Sequence, residues 1–157
     1  MEFKNRKSPR ISGYDYATPN YYFITICTHN KKCIFGKIGH LNSFGRIAEK
    51  FLIQIPEIYP AITIDKYVVM PNHVHAIMIV SAETPGKERK DLTRVVGQYK
   101  MVVTKQIRKI SGCEHVWQRS FHDHVIRNEA GYKKIWEYIH NNPAKWEDDC
   151  FYCEESN

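Results

Sequence analysis

Tyr67-Val68-Val69-Met70-Pro71-Asn72-His73-Val74-His75-Ala76-Ile77-Met78-Ile79-Val80 is the stretch whose reading decides the fold. Residues 61–70 and 73–80 are rich in β-branched and apolar side chains, as strands are. Only Pro71-Asn72 separates them, a turn-like pair that predicts an antiparallel hairpin. Residues 76–80 are apolar without interruption, which marks the second strand as central and buried on both faces.

The elements on either side follow from the same kind of pattern. Residues 21–28, Tyr-Tyr-Phe-Ile-Thr-Ile-Cys-Thr, form a strand, and residues 29–40 a loop or short hairpin with Gly36 and Gly39. Asn42 or Ser43 caps a helix running to about Ile55, with Phe44, Ile47, Ala48, Phe51, Leu52 and Ile55 on one face. Pro56 and Pro60 end it. Asp91 caps a longer helix, with Leu92, Val95, Val96, Tyr99, Val103 and Ile110 as its apolar stripe and Ser111-Gly112 as its stop. Residues 117–127 contain a fourth strand, and Asn128 caps a last helix ending just before Pro143. The order β-α-β-β-α-β-α predicts an α+β fold, a split β-α-β or ferredoxin-like antiparallel sheet. Its helices cover one face, and an additional C-terminal helix follows.

Charge is distributed unevenly along the 157 residues. The last eleven hold five acids and no Lys or Arg, so the net charge of +6 becomes +11 once those five are set aside. Such a surplus favours polyanions through counterion release, although a solvated surface carries the same total. No apolar run approaches the roughly 20 residues that span a bilayer. The N-terminus lacks the apolar core of a secretory signal, so a cytoplasmic protein without membrane contact is expected. Five cysteines, an odd number, argue against a disulfide framework. The lone Cys150-Phe151-Tyr152-Cys153 lacks the second pair that a zinc site needs.

His73 and His75 share one face of their strand, because side chains alternate. Two adjacent imidazoles can hold one divalent cation with open coordination positions, or form a hydrogen-bonded pair at a strand end. On the last helix, Tyr132, Ile135, Trp136 and Ile139 make the buried stripe. Tyr138 lies about 100° from Ile139, and Asn142, four residues on, stacks on the same flank. The amide oxygen of Asn142 is a hard donor suited to Mg²⁺ or Mn²⁺, and a phenol can attack a phosphodiester whose charge is neutralised. A half-buried tyrosine followed by a helix-terminal Asn is the plainer alternative. His122-Asp123-His124 is a second pair of histidines on one strand face, for which structural or DNA-contacting roles are favoured over a second metal site.

Three segments in combination resemble the REP-associated tyrosine transposases, within the single-tyrosine HUH transposases. They are Pro71-Asn72-His73-Val74-His75 after an apolar strand, the run from Trp117 to Arg127, and Tyr138-Ile139-His140-Asn141-Asn142-Pro143. Tyr14-Asp15-Tyr16 and residues 22–28 are similar to that family too, so the likeness runs from about Arg6 to Trp146. The resemblance implies a ferredoxin-like HUH domain over residues 21–146, preceded by a basic arm (1–20) and followed by an acidic tail (147–157). It implies His73 and His75 as ligands of Mg²⁺ or Mn²⁺, and Tyr138 as the nucleophile of a 5′-phosphotyrosine intermediate. Asn142 falls where relatives place an amide ligand, some of them Gln. The implied partner is single-stranded DNA with hairpins from repetitive palindromic elements, which the enzyme nicks and rejoins.

Candidate DNA-binding residues are Lys4, Arg6, Lys7 and Arg10 in the arm, Arg94, Lys105 and Arg108 on the long helix, and Arg119 and Arg127. Tyr14 and Tyr16 are placed to stack on bases. A non-cleaving protein that recognises repeat hairpins is the alternative reading. An RNA-binding module of similar topology would leave the histidine pair unexplained. A monomer and a homodimer are both compatible with the sequence.

Overall fold

The computed structural model describes residues 10–82 and 91–152. Four long strands form one sheet: β1 (Asn20–Cys27), β4 (Ile62–Met70), β5 (His73–Val80) and β6 (His122–Ile126). A two-residue hairpin, β2 (Gly36–Lys37) with β3 (His40–Leu41), lies outside it. The sheet order is β4-β5-β1-β6, antiparallel at every pairing. The split β-α-β arrangement expected from the sequence is the one observed. Strand β5 is central, and seven of its eight residues are buried.

Alternation divides the sheet into two faces. Tyr22, Ile24 and Ile26 of β1 and Val74, Ala76 and Met78 of β5 pack with helices α1 (Ser43–Ile53) and α3 (Leu92–Ser111). Phe23, Ile77 and Ile126 face the other way, against Ile135 and Ile139 of α4 (Glu129–Asn141). Ile135 and Ile139 are 2% and 1% exposed, and burying each contributes about 1.5–3 kcal/mol. That burial fixes the rotation of α4 and therefore the direction of its other residues.

Asn42 Oδ1 accepts from Gly45 N at 3.0 Å, Asp91 Oδ1 from Thr93 N at 2.7 Å, and Asn128 Oδ1 from Gly131 N at 2.7 Å. Each satisfies an N-terminal amide that the helix leaves without a partner. Gly112 takes φ +72°, and its N–H bonds to the Arg108 carbonyl at 2.8 Å, closing α3. Two details depart from expectation. Pro56 ends α1 but also sits in the first turn of a short helix, α2 (Ile55–Ile58), where its missing N–H costs nothing. Ile110 is 59% exposed, and Ile107, four residues after Val103, closes the α3 stripe instead.

The cysteine reading also changes. Cys27, Cys113 and Cys150 are free, whereas Cys33 is disulfide-bonded; Cys153 lies outside the described residues. Among the described residues no helix is long and apolar enough to cross a membrane.

Arg10 is a structural anchor. Its Nη1 lies 2.9 Å from the buried Asp123 Oδ1 and 2.7 Å from the Phe121 carbonyl, and its guanidinium stacks 3.3 Å over the Phe121 ring. Tyr16 donates to Asp123 Oδ2 at 2.9 Å and is itself 4% exposed, so it belongs to the core and is not displayed for bases. Removing the Arg10 charge takes a close counter-ion away from a buried carboxylate. Arg10→Ala is expected to lower stability by about 2 kcal/mol, below the range for a fully buried pair because Arg10 is 22% exposed. Urea unfolding of the variant against the parent chain measures it.

Candidate active site

His73 and His75 are 0% and 1% exposed, on the sheet face that α4 covers. Their rings are 4.4 Å apart. His73 Nδ1 lies 2.8 Å from Asn72 Oδ1, and His75 Nδ1 lies 2.8 Å from Thr25 Oγ1 on the neighbouring strand. Among the described residues, the two Nε2 atoms are buried without a hydrogen-bond partner, as is Oδ1 of Asn142. Buried polar atoms in native proteins are almost always paired, so three orphans at one place mark a site suited to binding a ligand. Burial pushes His73 down to about 4 and His75 well below its ordinary value, with Asp149 partly opposing the shift at His73. Both rings are therefore neutral near pH 7, the form that donates to a metal.

Helix α4 brings the other groups. Tyr138 is half-buried, its ring 5.3 Å from His75 and edge-on to Phe23 at 6.1 Å. Burial raises its phenol above the ordinary tyrosine value; the nearby Asp149 and Cys150 raise it further, and the Asn142 amide lowers it. Asn142, 3% exposed, ends the helix one turn on from Tyr138 and donates from Nδ2 to Asp149 Oδ2. The flank read from helical geometry thus meets the histidine pair within a single chain.

Asp149 was missed in the sequence, where it reads as part of an acidic tail. The chain turns back after Pro143 through a 3-10 turn (Trp146–Asp148). Trp146 is 5% exposed, its ring 5.9 Å from His73; Phe151 packs 4.6 Å from His73 and 5.8 Å from His75. Ligand atoms of His73, His75 and Asp149 all lie within 4.8 Å of one another. Two neutral imidazoles, a carboxylate and an amide oxygen make a donor set that fits a divalent cation. The signal available in the sequence was the aromatic spacing of Trp146, Phe151 and Tyr152 among the acids.

The competing tyrosines are engaged elsewhere. Tyr99 is buried and donates to the Ala48 carbonyl at 2.9 Å, and Tyr132 donates to Asp65 Oδ2 at 2.6 Å. His122 and His124 are exposed while Asp123 is buried, as the alternation required. His122 and His75 pair with Thr25 from its two sides, so one strand separates the two histidine pairs. Glu137 is exposed, and His140 is exposed and stacked on Trp136 at 5.0 Å.

No family model matches the chain. An uncharacterized protein of Haemophilus influenzae is 36% identical over 170 residues, 96% of this chain and 94% of that protein. The REP-associated tyrosine transposase of Escherichia coli is 32% identical over 82 residues, 52% of this chain and 44% of that protein. The structure of a REP-associated tyrosine transposase bound to a REP hairpin shares the fold, with a TM-score of 0.60 and 21% identity over 92% of this chain and 74% of that one. This chain is similar in part of its sequence to a REP-associated tyrosine transposase, spanning less than half of that protein, and it shares the fold of a second one.

Basic residues of this chain fall into separate places. Lys4, Arg6 and Lys7 lie outside the described residues. Arg94, Lys105 and Arg108 are exposed along α3, a 20-residue helix without a single acid. Arg119 and Arg127 are exposed on either side of β6. Beside the second half of α3 runs a groove of about 480 Å³ lined by Lys105, Arg108, His115 and Trp117, with Glu114 its acidic residue.

Proposed function

We propose that this chain nicks and rejoins single-stranded, hairpin-forming DNA, with Tyr138 as nucleophile and a divalent cation held by His73, His75, Asp149 and Asn142. The observation that carries the reading is the convergence of the orphaned Nε2 atoms with Asp149, one ring contact away from Tyr138. A bound Mg²⁺ or Mn²⁺ would supply positive charge that polarises the scissile phosphate and favours the phenolate of Tyr138.

This chain's residues do the rest. Packing of Ile135 and Ile139 holds α4 so that the Tyr138 ring lies against His75. Its Oη attacks phosphorus, the P–O3′ bond breaks, and the electron pair leaves on the 3′ oxygen, which takes up a proton. The phosphodiester energy is kept in the tyrosine ester, so a second 3′-hydroxyl reverses the step and rejoins strands without a nucleotide cofactor. The phenol gives up its proton against the cost of burial and the negative charge of Asp149. The same effects hold Tyr138 protonated, and therefore unreactive, when no cation is bound.

Labelled hairpin DNA with a single-stranded flank, incubated with Mn²⁺ and run on a denaturing gel, tests the reading. A covalent protein–DNA band that chelator abolishes supports it. Tight hairpin binding with no band, over a range of repeat substrates, selects the non-cleaving alternative.

The acid-free face of α3 and the groove beside it are the proposed seat of the duplex stem, where Lys105 and Arg108 meet backbone phosphates. Reversing both charges with K105E/R108E is expected to weaken hairpin binding at least tenfold. It should also reduce the slope of log K against log salt by about 2, one unit per lost phosphate contact. Titrations at several salt concentrations measure it, and an unchanged slope removes α3 from the interface.

A further inference from the structure

We propose that Asn72 and Thr25 are positioning residues that set the tautomers of His73 and His75, so that both Nε2 atoms present lone pairs to one cation. The inference rests on the reading of the two histidines as metal ligands.

Hydrogen-bond logic forces the state of His73. Asn72 is 0% exposed, and its Nδ2 donates to the carbonyls of Lys31 at 3.1 Å and Phe151 at 2.7 Å. Carbonyls only accept, so the amide nitrogen must face them and Oδ1 must face the other way. Oδ1 lies 2.8 Å from His73 Nδ1 and also only accepts, so Nδ1 carries the proton. A neutral imidazole has one N–H, which leaves Nε2 with a lone pair. The backbone of Asn72 is held too: its carbonyl accepts from Thr28 N at 2.9 Å and from Thr28 Oγ1 at 3.0 Å.

His75 has the same arrangement from another strand. Thr25 sits directly opposite it in register, and its hydroxyl oxygen is hydrogen-bonded to Nδ1 at 2.8 Å. Among the described residues a proton on His75 Nε2 would be buried without an acceptor, so the Nδ1–H form, with the Thr25 hydroxyl accepting, is the one this environment favours. Such partners typically tune metal affinity 10- to 100-fold. The segment after α4 then acts twice: Asp149 stands beside the histidines, and the Phe151 carbonyl orients the amide that sets His73.

The test is ¹⁵N NMR of the imidazole nitrogens in the full chain, with Mn²⁺ affinity measured by calorimetry. Wild-type His73 and His75 are expected as Nδ1–H tautomers. Asn72→Ala should lose that preference at His73 and bind Mn²⁺ about 10- to 100-fold more weakly. Asn72→Asp, which keeps an acceptor oxygen but loses both donors, should retain most of the affinity. A merely structural role would make the two variants equivalent. Thr25→Val, of equal size, should weaken Mn²⁺ about tenfold, and Thr25→Ser should restore it. If Asn72→Ala does not fold, the wild-type spectrum and the Thr25 pair still decide. An Nε2–H tautomer at His73 in the wild type, or Mn²⁺ affinity indifferent to both pairs, overturns the proposal. A wild type with the Nδ1–H tautomers and no Mn²⁺ binding overturns the ligand reading and, with it, any role toward a cation.

Discussion

Tyr138→Phe is expected to abolish the covalent protein–DNA complex and lower strand cleavage by more than about 10⁴-fold, because it removes the oxygen proposed to attack. The ring remains, so its contacts with His75 at 5.3 Å and Phe23 at 6.1 Å survive. Stability should change by no more than about 1 kcal/mol. Hairpin affinity should be unchanged, since the exposed face of α3 lies on the opposite side of the sheet from α4. Single-turnover cleavage and binding measured on the same preparation separate these effects. A substitution that lowered affinity and cleavage together would instead place Tyr138 in the DNA-binding surface. Tyr132 is the internal control: its hydroxyl is bonded to Asp65, so Tyr132→Phe should leave the covalent band in place.

His73→Ala is the second large effect. It removes one of two buried imidazoles and the hydrogen bond between His73 Nδ1 and Asn72 Oδ1. Loss of a proposed metal ligand would forfeit several kcal/mol of charge stabilisation, so cleavage should fall by at least about 10³-fold. Excess Mn²⁺ should recover only part of it, because His75 and Asp149 remain. Hairpin binding should persist. Asp149→Asn keeps the size of the side chain and an oxygen but removes the charge, so its loss should be smaller and more fully recovered by Mn²⁺. If Asp149→Asn cleaves as well as the parent chain, the carboxylate has no part in holding the cation.

The fold was legible because its signals are local. An uninterrupted apolar run at 76–80 reads as a central strand, and Asn42, Asp91 and Asn128 each cap the helix they precede. The histidine pair and the Tyr138–Asn142 flank were legible for the same reason, since strand alternation and helical spacing set them before any tertiary contact forms. Asp149 was not. Its place depends on the chain reversing after Pro143 and on Trp146 and Phe151 burying themselves against His73, and no short-range periodicity records such a contact. Arg10 shows the converse. In the sequence it is one more cation in a basic arm, yet the buried carboxylate of Asp123, 113 positions away, takes its charge. Ile110 keeps the helical pattern but sits in the last turn of α3 and is 59% exposed, whereas Ile107 is buried in the core.

The most direct test of the central claim, that Tyr138 and the histidine pair form one nicking site within this chain, is to locate the DNA on the protein. The wild-type chain is reacted with a hairpin oligonucleotide and Mn²⁺, digested with nuclease and protease, and the nucleotide-bearing peptide is sequenced by mass spectrometry. The expected result is a 5′-linked nucleotide on Tyr138, present with Mn²⁺ and absent from His73→Ala. A nucleotide on another residue, or cleavage products with no adduct at all, would contradict it.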